Sequence, residues 1–171
     1  MSYKNVIKLK NQNQTAWNAS KTIEVIILGQ TKYSTGKHKI KIKIDQFPIN
    51  QSELNIINFG IINAENRENF IKDRKFEGSY FFRTYWNGNL LESSKLKREK
   101  GKLYSEKYPK NIKLKENDIF EILLDMDQKT IAFKINENNL GIAWENLPKI
   151  VYFFAELELM KINENNQITL I

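Results

Sequence analysis

The clearest hydrophobic pattern in the chain is Lys39-Ile40-Lys41-Ile42-Lys43-Ile44. Strict alternation predicts a half-buried strand, isoleucines to the core and lysines to water. Further strands are predicted at Thr22–Leu28 (TIEVIIL), Asn55–Ile62 (NIINFGII), Ser79–Trp86 (SYFFRTYW), Asp118–Asp125 (DIFEILLD), Lys129–Ile135 (KTIAFKI), Ile150–Leu159 and Ile168–Ile171. Turn-forming residues separate them at Gly29–Gly36, Asn87-Gly88, Met126-Asp127-Gln128 and Asn136–Asn139. Asn-Gly is a strong hairpin signal. Gly60 marks a bulge or a close approach inside its strand. Asn63–Lys75 is charged, with Phe70 and Ile71 as a short helical turn or loop anchor. The Lys/Glu-rich segment Ser93–Tyr108 predicts a loop or a weak strand. Residues 1–16 form a polar extension, and one domain follows from 17 to 171. No amphipathic helix exceeds two turns, and there is no internal repeat or linker. The pattern predicts an all-β protein, an antiparallel β-sandwich or barrel.

Composition narrows the classes. The 171 residues are 41% hydrophobic and 27% charged, enough apolar mass for one core. No apolar run reaches membrane-spanning length, and the first residues lack the apolar stretch of a secretory signal. An intracellular, cytoplasmic location is therefore expected, with a nuclear or cytoskeletal assembly also compatible. There are no cysteines, which excludes disulfides, thiolate metal sites and cysteine nucleophiles. The net charge of +7 invites a nucleic-acid reading. Yet there are 23 Lys and only 4 Arg, beside 23 Ile and 21 Asn. These are residues of A- and T-rich codons, and Arg is the residue that phosphate and base recognition favours.

Several catalytic and metal patterns fail on spacing. Gly29…Gly36-Lys37 has six residues between its glycines where a phosphate loop needs four, and a strand follows where a helix should. Asp125-Met126-Asp127 starts like a calcium loop, but Thr130 and Asn136 occupy the positions that need Gly and Glu. One histidine, His38, cannot build an imidazole metal site, and it sits on the alternating strand as an ordinary surface or edge residue. No carboxylate pair is singled out for glycoside hydrolysis. Asn13-Gln14-Thr15, Asn18-Ala19-Ser20 and Asn50-Gln51-Ser52 fit the glycosylation triplet, as an Asn-rich chain does by chance.

The C-terminal half carries an ordered motif. Asp118–Asp127 (DIFEILLDMD), Thr130–Asn136 (TIAFKIN) and Leu140–Pro148 (LGIAWENLP) together resemble the SPRY/B30.2 family. Upstream, Gly36–Ile42 is similar to that family's G-x-H-Y-W-E-V strand, Asn58–Ala64 to its apolar strand with Gly, Gly78–Phe82 to its S-W-G-Y segment, and Val151–Phe154 to its L-Y-P-A segment. The likeness spans residues 17–171. It departs at Asn117 and at Glu137-Asn138, where the family has Gly, at Ile40 in place of Trp, and at Phe153 in place of Pro. The Trp-Gly pair with which one subgroup grips its peptide is missing near Leu157–Leu159, so that subgroup's peptide consensus does not carry over.

The resemblance implies a bent antiparallel β-sandwich and a non-catalytic protein–protein interaction module without cofactor or metal. An adaptor or a subunit of a larger assembly is expected, holding a partner segment on a loop-formed surface, with no membrane contact. Tyr33, Arg67, Arg83, Tyr85, Trp86 and Asn87 are the candidate partner-binding residues. Two other classes stay open. One is RNA or single-stranded DNA binding through the lysines and the aromatic strand 80–86. The other is a carbohydrate-binding or carbohydrate-processing sandwich, which would need an exposed carboxylate beside an aromatic platform.

Overall fold

The computed structural model describes residues 7–10, 15–18, 24–46, 54–73, 76–87, 91–100, 102–107, 112, 115–159 and 167–171. They form two antiparallel sheets that do not close into a barrel. One sheet has seven strands in the order β1 (Ile7–Lys10), β2 (Thr15–Asn18), β13 (Gln167–Leu170), β4 (Lys37–Gln46), β9 (Ile119–Asp125), β10 (Thr130–Ile135), β11 (Asn138–Trp144). The other has six, in the order β3 (Glu24–Tyr33), β12 (Val151–Leu159), β5 (Leu54–Asn63), β6 (Ser79–Asn87), β7 (Leu91–Glu99), β8 (Lys102–Lys107). A single 3-10 turn (Ala64–Asn66) and a short helix, α1 (Arg67–Asp73), join β5 to β6.

Alternation places one face of each sheet in the main core. Ile40, Ile42 and Ile44 of β4, Phe120, Ile122 and Leu124 of β9, and Ile131, Phe133 and Ile135 of β10 face inward. Ile57, Phe59 and Ile61 of β5, Tyr80 and Phe82 of β6, and Val151, Phe153, Ala155 and Leu157 of β12 meet them. Phe120 is the hub, its ring centroid 4.9 Å from Phe59, 5.0 Å from Phe82 and 5.6 Å from Phe133. Such tilted ring contacts add to the burial of the rings themselves.

A second cluster lies on the outer face of the six-stranded sheet. Ile62, Phe81, Leu96 and Phe154 pack there under Phe70 of α1, with Phe76 beside them. Phe70 is fully buried, 4.9 Å from Phe154 and 5.0 Å from Phe76 between ring centroids. The anchor expected in Asn63–Lys75 is thus the residue that fastens α1 to the sheet. Gly60 sits tight against β6. A Cβ there would sit 2.3 Å from the Tyr80 carbonyl oxygen and 2.4 Å from Phe81 Cβ, and the register through Gly60 carries no bulge.

Two expectations need revision. Ser93–Tyr108 is neither loop nor weak strand: it supplies most of β7 and β8, a hairpin in unbroken register from Ser94↔Lys107 to Glu99↔Lys102. Its hydrophobic pattern is thin because β7 buries Leu96 on one side only and β8 reaches a core on neither, with Leu103 and Tyr104 each 47% exposed. His38 is no plain surface residue, for its ring packs against Tyr33 with centroids 4.8 Å apart. The polar segment 1–16 contributes β1, which pairs with β2, and β2 pairs in turn with β13. The expected Asn87-Gly88 hairpin joins β6 and β7, which pair throughout, but Gly88 itself lies outside the described residues.

Asn117 stands where the family pattern has Gly, and its φ of 69° is the left-handed conformation for which Gly is ordinarily used. Asn136 also takes positive φ, at 52°. Its amide joins the start of β9 to the end of β10. Asn136 Nδ2 donates to Asp118 Oδ1, and Ile119 N–H donates to Asn136 Oδ1, each at 2.9 Å.

Candidate functional site

Three connections meet at one end of the sandwich, and hydrogen bonds fix each to the next. Between β3 and β4 the chain reverses at Gly36, whose φ of 77° suits glycine. Its N–H donates to Asp127 Oδ1 at 2.8 Å, and its carbonyl accepts from Met126 N–H at 2.9 Å. The β9–β10 turn closes on Asp125, whose Oδ1 accepts from Gln128 N–H at 2.9 Å and from Asp127 N–H at 3.1 Å. Carboxylates at tight turns bond nearby backbone amides in this way. Lys37 lies 3.4 Å from the other Asp125 oxygen. The amide of Gln128, joined by the Lys37 charge, holds the Asp125 carboxyl below its ordinary value of 3.8, against a smaller opposing effect of desolvation. The β11–β12 connection joins in through Leu147 N–H, which donates to the Lys129 carbonyl at 3.1 Å.

Tyr33 and His38 close the gap between the two sheets at this end. Val151, opposite Tyr33, is an inward core residue, so Tyr33 reaches toward the seven-stranded sheet and meets His38 on β4. His38 Nε2 donates to the Thr35 carbonyl at 2.6 Å, which orients the ring. Burial pushes the Tyr33 hydroxyl up from its ordinary value, opposed by a hydrogen bond with Thr31. Beside them, on the seven-stranded sheet, is a shallow groove of about 440 Å³. Leu123 and Ala132 give it an apolar floor on the face turned away from the main core, and Lys37, Lys39, Asp125 and Thr130 form its rim.

Arg67 lies at the same end, on the outer side of the six-stranded sheet. Its guanidinium sits 4.8 Å from the Tyr152 ring centroid, a cation–π contact at the start of α1. The entry to that helix is held by Ala64 N–H donating to the Ile150 carbonyl at 3.0 Å, and by Asn63 Oδ1 accepting from Glu65 N–H at 3.3 Å.

The six candidate residues do not gather on one surface. Tyr33 and Arg67 share the end just described. Arg83 lies on the outer face of β6, where its Nε donates to Asn58 Oδ1 at 2.9 Å and its guanidinium lies 5.5 Å from the Phe81 ring centroid. Asn58 in turn donates to Glu156, and both are buried. Arg83 therefore belongs to a polar row across β6, β5 and β12. Tyr85, Trp86 and Asn87 finish β6, and their side chains lie outside the described residues. Asn87 is eight residues from Ser79, so it stands roughly 26 Å along the strand from the end that holds Arg67. Sequence reasoning missed Lys37, Lys39 and Asp125 as rim residues. The signal was present in the alternation of β4 and in the Asp125-Met126-Asp127 turn, but only strand pairing brings them together.

Tyr80, Phe81 and Phe82 are 4%, 1% and 0% exposed, so none of these three offers a ring for base stacking. The β4 lysines already face carboxylates: Lys39 and Lys41 lie 3.7 and 3.6 Å from Glu121, and Lys43 lies 3.2 Å from Asp45. Among the described residues no group of His, Asp and Glu side chains is placed to hold a metal ion, and no helix is long and apolar enough to cross a membrane.

This sandwich, with its loops drawn together at one end, is the SPRY-like fold. The SPRY domain of human HERC1 superposes with a TM-score of 0.62 at 14% identity, over 96% of this chain and 91% of that one. The TRIM65 PSpry domain does so with a TM-score of 0.54 at 10% identity, over 99% and 88%. A carbohydrate-binding module from Bacillus subtilis, CBM66, reaches 0.52 at 9% identity, over 98% and 88%. No protein-family model and no curated protein matches the sequence.

Proposed function

We propose that this chain is a non-catalytic protein-interaction module, an intracellular adaptor or assembly subunit, that holds a partner segment at the end of the sandwich bearing Tyr33 and Arg67. One observation carries the reading: β4, β9 and β10 lie side by side under a groove with an apolar floor and lysines on its rim, and hydrogen bonds tie the β3–β4 and β9–β10 turns next to it. A preformed surface loses little entropy on binding, so a few anchors suffice. Leu123 and Ala132 suit an apolar partner side chain. Lys37 and Lys39 are 81% and 54% exposed beside Asp125 and Glu121, so a partner's acidic residues flanking it would share these lysines with the chain's own carboxylates. Arg67 on Tyr152 offers a second anchor at the same end. The SPRY-like fold supports this reading over nucleic-acid binding, as does the burial of Tyr80, Phe81 and Phe82.

The test is affinity purification from the source cell after nuclease treatment, washed at about 0.3 M salt, where exposed charges are strongly screened. A protein retained near one-to-one, and lost with the Lys37→Glu/Lys39→Glu variant, is the expected result. Retention that depends on nucleic acid and falls steeply with salt would overturn the reading.

A further inference from the structure

The free edge of β8 differs from those of β11 and β3, and at six residues it is longer than the four-residue edge β1. An exposed edge strand invites pairing, and proteins usually blunt it with bulges, proline or charge. The pairing of β11 with β10 shifts register twice, and that of β3 with β12 shifts once. The β7–β8 register has no shift at all. Among the described residues nothing pairs with the far side of β8. Every residue from Lys102 to Glu106 is exposed. Leu103 and Tyr104 are two of the four large hydrophobic residues that stand exposed among those described.

The charges of β8 are arranged symmetrically about Tyr104. Lys102 lies two residues before it and Glu106 two after, so all three share one face of the strand. Turned end for end, this strand matches itself: Lys102 meets Glu106, Tyr104 meets Tyr104, and Leu103 meets Ser105. The backbone supports the same centre. Glu99 pairs with Lys102 across a two-residue connection, so that pair exchanges hydrogen bonds. Alternation then turns the N–H and C=O of Leu103 and Ser105 to the free edge. Those are the groups that pair when Tyr104 faces its own copy in the close, non-hydrogen-bonded position.

We propose that β8 is a self-pairing edge: a second copy of this chain docks antiparallel along it, about a two-fold axis at Tyr104, joining two six-stranded sheets into one of twelve. Each copy gives the same patch, as a closed two-fold interface requires. The Tyr104 rings stack across the axis, and the Lys102 ammonium of each copy meets the Glu106 carboxylate of the other. Glu106 also faces Lys95 at 3.0 Å within its own chain, and at 66% exposure it keeps room for a second cation. A six-residue edge buries less than the ~1,600 Å² of a standard interface, so the association depends on concentration.

Sedimentation velocity on the full chain, from ~10 μM to ~1 mM at ~0.15 M salt, tests this directly. The expected result is a monomer–dimer shift within that range. Ser105→Pro removes an N–H that points to the free edge and not to β7, so it leaves the hairpin's own ladder intact. It should weaken association at least about tenfold while the melting transition stays cooperative. A second variant does not depend on how proline is tolerated. The chain has no cysteine, so Tyr104→Cys places one thiol per copy at the axis. Oxidation with diamide should give a disulfide-linked dimer far faster than for Lys72→Cys on the exposed side of α1. A wild type that stays monomeric throughout, a folded Ser105→Pro variant that dimerises as before, or a Tyr104→Cys protein no faster to cross-link than Lys72→Cys would overturn the proposal.

Discussion

Trp144 on β11 donates its indole N–H to the carbonyl oxygen of Leu96 on β7 at 3.1 Å, so a side-chain hydrogen bond joins the two sheets near their rim. Lys95 stands 5.5 Å from the same ring centroid. Trp144→Phe keeps most of the ring and removes the donor. Destabilisation of about 1 kcal/mol is expected, the net worth of one hydrogen bond to a carbonyl that keeps its place in the β6–β7 ladder. Urea unfolding followed by circular dichroism gives the value, and an unchanged midpoint would mean that water replaces the indole.

Phe70 links packing to the proposed site. Its fully buried ring holds α1 against Phe154 and Phe76, and α1 begins at Arg67. Phe70→Ala should cost about 3–5 kcal/mol through the cavity it leaves. Where the protein still folds, partner retention should fall with it, because the Arg67–Tyr152 contact depends on the seating of the helix. Arg67→Ala should lower retention with little change in melting temperature.

The two glycines of the six-stranded sheet should respond differently to a methyl group. At Gly60 it would meet the Tyr80 carbonyl at 2.3 Å, backbone against which nothing can rotate away. Gly60→Ala is expected to lose about 3 kcal/mol or more, as severe overpacking does. At Gly29 the nearest atom is Phe153 Cβ at 3.3 Å, so Gly29→Ala should be mild. Comparing the two melting temperatures decides the point.

Asp125 should contribute to the loss of stability in acid. Its carboxyl is held below the ordinary 3.8 by the Gln128 amide first, then by Lys37, so the folded state releases the proton more readily than the unfolded chain. The resulting stability is present above about pH 4 and is lost as pH falls through the folded-state value. Asp125→Asn keeps an oxygen for the turn amides and cannot titrate. Its unfolding midpoint should therefore fall less steeply than the wild type's between about pH 4 and pH 2. Parallel curves would assign the acid limit to other carboxylates.

The strands most legible in the sequence are those with one wet face and one dry face. Ile40, Ile42 and Ile44 alternate with lysines, and Ile131, Phe133 and Ile135 follow the same rule. Legibility fails where a strand is covered on both sides or on neither. Phe81 and Phe154 point away from the main core yet are buried by α1, and no local pattern says whether an outward aromatic ring meets solvent or a helix. Glu156 alternates with leucines as a solvent residue would, but Asn58 and the strands beside it bury its carboxylate. β7 and β8 lack periodicity because little of their surface meets a core. The candidate groove is hard to read for a related reason: the sequence offers Tyr33 and Arg67 one at a time, whereas the groove exists only through the pairing of Lys37 with Asp125 and of Asp125 with Thr130.

The double covering of the six-stranded sheet fixes where the molecule can breathe. β5 is paired on both sides, and Ile56 through Ile62 are all buried, by the main core on one face and by the α1 cluster and its polar neighbours on the other. Amide hydrogens there exchange with solvent only when both layers open together, close to global unfolding. The rims, β8 and β11 above all, open without that cost. The fold thus keeps a slow-exchanging seam at its middle and leaves its fast motions at the borders.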